Sequence, residues 1–163
     1  MTEALAIREK HDGALADRSS VKLWLRLLSC TMVIEKDVQR RLGEMDATLP
    51  RFDVLAALDR NPEGMNMGAL SRALLVSNGN VTQLVQKLAK DGFVRIAPSP
   101  ADRRASIVRL TAKGRAHFAG LAAAHHDWID ALLAGMDAKA RETLYRALGE
   151  LKRSIAKGQA FGS

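Results

Sequence analysis

The sequence has one cysteine, 4% aromatic residues and no long uncharged apolar run. Cys30 alone cannot close a disulfide within the chain or build a cysteine zinc site. No apolar stretch approaches the about 18 residues expected of a membrane-spanning helix. The first nineteen residues are charged throughout and lack the apolar core of a signal peptide. These absences predict a reduced, cytoplasmic protein that does not enter a membrane.

The charge that is present is concentrated in one part of the chain. The 163 residues carry a net charge of +7, with 47% hydrophobic residues, which is typical of one globular unit. Nine basic and two acidic residues lie between Met65 and Arg115, whereas the rest of the chain holds sixteen of each. A solvated charged face is one interpretation. The confinement of the excess to a single segment favours a polyanionic partner, nucleic acid in particular.

Apolar residues at three- and four-residue steps predict four helices in the first half of the chain. The first spans Ser20 to Met45, and the second begins around Pro50, since proline is tolerated in a first turn. Asn66 caps a short third helix, and Ser77 caps the fourth. The fourth helix buries a stripe formed by Val81, Leu84, Val85 and Leu88.

The hydrophobic period then changes to that of strands. Residues 93–96 and 106–110 are short and rich in β-branched side chains, which predicts a two-stranded hairpin. Its tip, residues 97–104, is rich in turn-forming residues and carries two arginines.

Two further helices follow the hairpin. Thr111 caps an alanine-rich helix that runs to about Leu133, and Asp137 caps a last helix that contains Ile155. The alanine-rich helix is apolar on more than one face, so it must be buried on several sides. A chain of this size cannot easily cover such a helix alone, which favours a second copy as its partner.

Two short helices joined by a tight turn and followed by a hairpin with a basic tip indicate a winged helix-turn-helix. The predicted fold is mainly α with a small β-wing: six helices and a two- to three-stranded wing. The winged helix-turn-helix occupies residues 48–110, and a helical dimerisation region comprises 20–47 and 111–157. Residues 1–19 form a flexible N-terminal arm, and residues 158–163 form a tail.

The apolar stripe of the fourth helix leaves a polar face for contact with DNA. Amide side chains hydrogen-bond base edges, and hydroxyl and ammonium groups bind phosphates. Every polar helix face offers such groups, so this face alone is a weak indication. The predicted DNA contacts outside the hairpin tip are Arg72, Ser77, Asn78, Gly79, Asn80, Thr82, Gln83, Gln86, Lys87 and Arg95.

Gly79 and the hairpin tip are more specific. Glycine in a first helical turn costs about 0.5–1 kcal/mol relative to alanine, but it permits close approach of the backbone to a phosphate. Simple tolerance near a helix start is the alternative. Arg103 and Arg104 suit a narrow minor groove, whose negative potential attracts guanidinium groups. Asp102 beside them is expected to shape the wing by pairing with an arginine; an ordinary exposed hairpin end is the alternative.

The run LVSNGNVTQLVQKLAKDGFVRIAPSPADRRASIVRLTAKG, from Leu75 to Gly114, resembles the signature of the multiple-antibiotic-resistance regulator (MarR) family. With its flanking helices, the resemblance covers roughly Ser20 to Ile155. It implies a homodimeric, ligand-responsive transcriptional regulator, usually a repressor, whose first, fifth and sixth helices form the dimer interface. Many members open the third helix with a Ser/Thr-x-x-Glu box, whereas this chain has Asn66 and Ala69 there.

Segments around Trp24, around Phe52 and after Val76 resemble the branch of the MarR family that responds to aromatic acids or their coenzyme A thioesters. Within that branch the resemblance is nearest to the members that respond to hydroxycinnamoyl-CoA thioesters. An apolar wall would hold the aryl group, and nearby cations would meet the CoA phosphates. Packing contacts and a solvated helix end are the alternative for the same side chains. The predicted effector residues are Trp24, Leu28, Met32, Lys36, Arg40, Arg41 and Phe52.

Other kinds of site have weaker support. Some members of the family that this chain resembles sense peroxide through a first-helix cysteine whose thiol bonds to tyrosines. In this chain the one tyrosine, Tyr145, is on the last helix, so we expect Cys30 to be a small buried residue. His125 and His126 are adjacent on a helix and point in different directions, so no metal site is predicted. No acid–base pair or glycine-rich phosphate loop is visible, so the protein is predicted to be neither an enzyme nor the holder of a cofactor. The alternative to a ligand-responsive repressor is a constitutive or redox-responsive DNA-binding protein.

Overall fold

The helical periodicity and the turn residues produce the expected order of elements in the computed structural model, which describes residues 19–99 and 105–160, with side chains to 158. These residues form six helices and three strands, so the predicted fold class is confirmed. In chain order they are α1 (Ser19–Glu44), α2 (Leu49–Asp59), β1 (Met65–Asn66), α3 (Met67–Leu74), α4 (Asn78–Lys90), β2 (Val94–Pro98), β3 (Ser106–Leu110), α5 (Ala112–Leu132) and α6 (Ala138–Ala160).

Short polar side chains begin four of the helices, as their sequence positions predict. The Asn66 side chain accepts a hydrogen bond from the Ala69 amide at 2.8 Å. The Ser77 hydroxyl accepts one from the Asn80 amide at 3.4 Å. The same arrangement recurs at α5 and α6, where the side chains of Thr111 and Asp137 accept from main-chain amides three residues later.

The three strands form an antiparallel sheet in the order β1-β3-β2. Met65 pairs with Val108, and Arg95 pairs with Arg109 across β2 and β3. Strand β1 has only two residues, so no alternation of apolar and polar side chains could indicate it in the sequence. Its pairing adds a third strand to the predicted hairpin and connects the start of α3 to the wing.

The described residues divide into two compact units, one ending at residue 126 (unit 1) and one beginning at residue 127 (unit 2), so the boundary lies inside α5. The hydrophobic core of unit 1 is contributed by α1 to α5 and by the sheet. Its larger side chains are Val38, Leu42, Phe52, Val54, Leu55, Leu58, Leu70, Val81, Val85, Leu88, Val94, Val108, Leu110, Phe118 and Leu121. The helix-turn-helix therefore rests on a core made by unit 1 itself.

Unit 2 holds the end of α5 and all of α6. The last helix continues to Ala160, three residues beyond the boundary predicted at 157. No proline occurs after Pro100 to stop it. Among the described residues, no helix has an apolar stretch long enough to cross a membrane.

Candidate nucleic-acid interface

The connection between α3 and α4 is a tight turn of three residues. Leu75 adopts the left-handed conformation, with φ of 55°, and ends α3. The Ser71 hydroxyl donates to the Val76 carbonyl across the turn. Ser77 then begins α4, so the second helix of the pair starts at a fixed orientation relative to the first.

Helix α4 separates its apolar and polar side chains onto two faces. Val81, Val85 and Leu88 have no exposed surface, because they pack into the core of unit 1. The predicted buried stripe is confirmed at these three positions, and Leu84 is half-buried. The opposite face carries exposed amide, hydroxyl and ammonium groups at Ser77, Asn78, Asn80, Gln83, Gln86 and Lys87.

Thr82 differs from the other predicted contacts on α4. It is half-buried, and its hydroxyl donates to the Asn78 carbonyl at 2.8 Å, one turn earlier in the helix. The hydroxyl oxygen can still accept a hydrogen bond, but its proton is used within the helix. Thr82 therefore has less to offer a base edge than Gln83 beside it.

The surroundings of Gly79 give no internal reason for a glycine. A Cβ atom added there would meet nothing within 4 Å beyond its chain neighbours and the backbone of its own helix, and its φ is not positive. The position lies in the exposed first turn of α4, next to Asn78 and Asn80. The glycine leaves this backbone open to close approach from outside the chain.

A cluster of charged and aromatic side chains holds the C-terminal end of α4. Arg51 of α2 forms an ion pair with Asp91 at 2.5 Å, and the Lys113 ammonium donates to the Asp91 carbonyl at 2.7 Å. The Phe93 ring stacks on His117, with ring centroids 4.3 Å apart. Burial, followed by the charges of Arg51 and Lys113, lowers the pKa of His117. These contacts fix the end of α4 against α2 and α5.

Cationic residues flank α4 on α3 and on the sheet. Arg72 is exposed in the last turn of α3, and Arg95 is exposed on β2. Arg95 lies opposite Arg109, its pairing partner on β3. Asp102, Arg103 and Arg104, predicted at the wing tip, lie outside the described residues. The described part of the candidate interface thus combines the polar face of α4 with guanidinium groups on α3 and on the sheet.

Solved structures with this order of elements include one of a MarR family transcriptional regulator from Silicibacter pomeroyi. It superposes with a TM-score of 0.73 and 33% sequence identity, and the match covers 88% of this chain and 99% of that one. The chain belongs to the MarR family. The sequence signature of that family matches residues 46–105, which contain the helix-turn-helix and the wing up to the residue before β3.

Two relatives of the chain differ in the direction of control that their names state. The transcriptional activatory protein BadR of Rhodopseudomonas palustris is 35% identical over 96 residues, which are 58% of this chain and 55% of BadR. The HTH-type transcriptional repressor IacR of Pseudomonas putida is 33% identical over 79 residues, 48% of this chain and 47% of IacR. The chain thus spans about half the length of these relatives.

The predicted effector residues of this MarR-family chain do not all lie on one surface. Trp24 and Met32 are 56% and 52% exposed on α1, whereas Phe52 is 7% exposed. The Phe52 ring packs against Phe118 and His125, with centroids 5.5 and 4.8 Å away. Phe52 is therefore a core residue of unit 1 in this structure.

Trp24 and Arg40, at the two ends of the predicted effector row, lie on different faces of α1. Positions 24, 28, 32, 36 and 40 follow one another at four-residue steps, and each step turns the direction by about 40° around the helix axis. Trp24 and Arg40 therefore point about 160° apart and lie about 24 Å apart along α1. Lys36 is exposed between them. The α1 surface of a single chain does not present Trp24 and Arg40 to one compact ligand.

Arg40 and Arg41 already have carboxylate partners. Arg40 pairs with Asp37 and Glu44, both at 2.6 Å, and Arg41 pairs with Asp37 at 2.7 Å. The hydrogen bond from Arg40 lowers the pKa of Asp37, Arg41 acts in the same direction, and partial burial opposes them. A ligand phosphate at these arginines would have to compete with those carboxylates.

The expectation that Cys30 is buried is wrong for the described chain. Cys30 is exposed, whereas its neighbour Ser29 is buried and donates its hydroxyl proton to the Leu25 carbonyl at 2.8 Å. Adjacent helical residues point about 100° apart. The buried face of α1 therefore passes through Ser29, Val38 and Leu42 and leaves Cys30 outside.

His125 and Asp53 lie at a half-buried junction that sequence reasoning did not single out as a pair. Burial lowers the pKa of His125, although the charge of Asp53 opposes that change. Burial also raises the pKa of Asp53, against the charges of His125 and Arg60. His125 thus stacks on Phe52 and interacts with a carboxylate on α2. Within the described residues, no three His, Cys, Asp or Glu side chains are grouped to hold a metal ion.

Proposed function

We propose that this protein is a transcriptional regulator that binds duplex DNA through α4 and the wing. The observation that carries this proposal is the outward face of α4. Its buried side is complete within unit 1, and its outer side presents amides and an ammonium group to solvent. That face lies in the segment that holds all of the net positive charge.

The side chains of α4 suit two kinds of contact. Asn80 and Gln83 carry amides, which pair with an adenine edge through two hydrogen bonds in the major groove. In this proposal Lys87 and Arg72 contact phosphates, which position a protein on DNA without reading its sequence. Arg103 and Arg104 are assigned to the minor groove beside the α4 site. The first pair supplies preference for a sequence, and the cations supply affinity.

We further propose that the protein acts as a homodimer. Large apolar side chains are exposed in each unit of a single chain: Val21, Leu23, Trp24 and Met32 on α1, and Leu144, Leu148 and Ile155 on α6. Exposed apolar surface of this kind marks an interaction site. A two-fold dimer would present two copies of α4 about 34 Å apart, one turn of B-DNA, to a palindromic operator.

The proposed control is release of DNA by a small aromatic acid or its CoA thioester, so that the protein is a repressor. The support is the apolar row of Trp24, Leu28 and Met32 on α1, with Lys36 one step farther along the helix. Phe52 would have to leave its contacts with Phe118 and His125, or act only through them. A constitutive DNA-binding protein would share the interface and lack the release.

A salt titration tests the DNA-binding proposal. The duplex is the region upstream of the protein's own gene, and binding is followed by fluorescence anisotropy between low and high salt. We expect log K to fall linearly with log salt, at about −0.9 per phosphate contact. Arg103→Ala and Arg104→Ala should weaken binding at every sequence, whereas Gln83→Ala and Asn80→Ala should also change sequence preference. A flat salt dependence contradicts the proposal.

Calorimetry tests the effector. The intact protein is titrated with benzoate, 4-coumarate and 4-coumaroyl-CoA, and each compound that binds is added to the protein–DNA complex. We expect one of them to bind and to release the duplex. Trp24→Leu should weaken that binding, while Tyr145→Leu, also an exposed aromatic residue but on α6, is the matched control. Absence of binding by all three favours the constitutive alternative.

A further inference from the structure

A small pocket opens at the base of the wing, where β3 leads into α5. Its volume is about 310 Å³. Pro62, Leu110 and Ala112 give it apolar walls, and Thr111 adds a hydroxyl group. The other described residues that line it are Arg95, Arg109 and Arg115, so none of the described lining is acidic.

The strand register places two of these arginines opposite one another. Arg95 and Arg109 are direct partners across the β2–β3 ladder, so their side chains leave the same face of the sheet. Like charges directly opposite one another destabilise a sheet. No ion pair to either side chain occurs among the described residues. Within the described part of the chain, these two cations therefore lie opposite one another without a carboxylate partner.

The backbone around the pocket helps to position the side chains of Arg109 and Arg115. A Cβ atom at Gly64 would lie 2.6 Å from Cγ of Arg109, so the glycine leaves the space that the arginine stem occupies. Gly64 also has a φ of 87°, which favours glycine. Arg115 donates from Nη1 to the Leu110 carbonyl at 3.2 Å, which holds its guanidinium group beside the end of β3.

We propose that Arg95, Arg109 and Arg115 form a binding site for a phosphate group. Guanidinium forks match phosphate oxygens through paired, charge-assisted hydrogen bonds. A bound dianion would also remove the repulsion between Arg95 and Arg109. The volume lies at the lower end of the about 300–1,000 Å³ typical of ligand pockets, which suits a small anion better than an aryl-CoA thioester.

The phosphate can come from a DNA backbone or from a free phosphorylated molecule, and the chemistry of the site is the same for both. Arg95 was among the residues predicted to contact DNA, but Arg109 and Arg115 were not. The site does not depend on the proposed DNA-binding function, because a free anion can be tested in the absence of DNA.

The first experiment uses inorganic pyrophosphate as the probe. The full chain is titrated calorimetrically with sodium pyrophosphate and compared with sodium chloride at equal ionic strength. We expect pyrophosphate to bind, and Arg95→Gln to lower its affinity about tenfold, since a hydrogen bond to a charged group is lost. Arg95 is exposed, so this variant should fold. Arg109→Lys keeps the charge without the fork and should lose less; Lys157→Ala on α6 is the control for net charge.

The second experiment measures salt-dependent binding of the same variants to a random-sequence duplex. A slope that falls by about one contact, 0.9 units, in Arg95→Gln but not in Lys157→Ala assigns the phosphate to the DNA backbone. Loss of pyrophosphate binding with an unchanged slope assigns it to a free phosphorylated molecule. If wild-type protein ignores DNA but binds pyrophosphate, the proposed function fails and this site stands. If neither measurement distinguishes Arg95→Gln from Lys157→Ala, the site is overturned.

Discussion

Helices α4 and α6 each carry an apolar stripe at helical spacing, yet the structure uses the two stripes differently. Val81, Val85 and Leu88 of α4 are completely buried, whereas Leu144, Leu148 and Ile155 of α6 are 45, 38 and 53% exposed. An amphipathic helix is stable when its apolar face is covered. Unit 1 supplies the cover for α4 itself, whereas the α6 stripe stays exposed in a single chain. Under the proposed function, the polar face of α4 binds DNA and the apolar face of α6 binds a second copy.

The largest expected effect on stability comes from truncating a buried leucine of the α4 stripe, and the same truncation on the α6 stripe is the comparison. Leu88→Ala should lower the free energy of unfolding by about 2–5 kcal/mol, because it leaves a cavity in a closed core. That loss, measured by urea denaturation, should be the same at low and high protein concentration. Leu148→Ala removes the same atoms from an exposed position.

For Leu148→Ala we expect weaker self-association, measured by analytical ultracentrifugation, with little cost to the fold of a single chain. Surface substitutions usually change stability by less than about 0.5 kcal/mol. Unchanged association in this variant would mean that the α6 stripe is not part of a dimer interface, and the contrast between the helices would need another cause.

A second prediction compares two glycines of α5. A Cβ atom at Gly114 would lie 1.9 Å from the Phe93 carbonyl oxygen, which also accepts a hydrogen bond from the Thr111 amide at 3.0 Å. Gly120 has no such neighbour within 4 Å. Gly114→Ala should therefore destabilise unit 1 by about 1–3 kcal/mol through overpacking. Gly120→Ala should stabilise it by about 0.5–1 kcal/mol, since alanine favours a helix.

Thermal unfolding of both variants measures this difference. Equal effects at the two positions would mean that the Phe93 backbone and α5 move apart easily when a methyl group is added at position 114. In that case the junction between β2 and α5 is not the rigid support for α4 that the structure describes.

The structure also separates what the sequence pattern could predict from what it could not. Caps at Asn66, Ser77 and Asp137 are local, so their residue types predict the helix starts correctly. The exposure of Cys30 depends on which face of α1 packs on α2, and a periodic stripe defines that face only approximately. The wing pocket requires the strand register, which joins residues fourteen positions apart in the chain.

The candidate DNA interface was predictable to the extent that it lies on one helix. Periodicity alone placed Asn80 and Gln83 opposite Val81 and Val85, and the structure has them exposed. The effector residues were less predictable, because contacts between helices decide whether an aromatic ring is core or surface. Phe52 and Trp24 both appear in apolar stripes, yet the first is buried and the second is exposed.

The third prediction concerns Gly79, where the uncovered polar surface of α4 begins. Gly79→Ala should stabilise the fold by up to about 1 kcal/mol, as at Gly120, because neither position is crowded. If close approach to a phosphate is the reason for the glycine, the same variant should bind DNA about tenfold more weakly, the equivalent of one hydrogen bond to a charged group. Gly120→Ala is the matched control, and anisotropy with the upstream duplex is the measurement. Unchanged DNA affinity would identify Gly79 as merely tolerated.

The smallest expected effect is a dependence of stability on pH through His125, which is packed in unit 1 against Phe52. Burial lowers the pKa of His125 from its ordinary value of 6.5. The unfolded chain therefore binds a proton near pH 6.5 that the folded chain does not bind, and the free energy of unfolding falls as pH drops through that value. His117 contributes in the same direction, because its pKa is also lowered.

His125→Phe keeps an aromatic ring beside Phe52 and removes the titration. Urea denaturation of this variant between pH 7.5 and 5.5 should show a smaller loss of stability than the wild-type protein, with the remainder due largely to His117. Asp53 acts in the opposite direction at lower pH, because its raised pKa makes the folded chain bind a proton that the unfolded chain releases. An identical pH dependence in His125→Phe would mean that the ring is solvated in solution. His125 would then belong to the solvent-exposed surface of unit 1, despite its contact with the Phe52 ring.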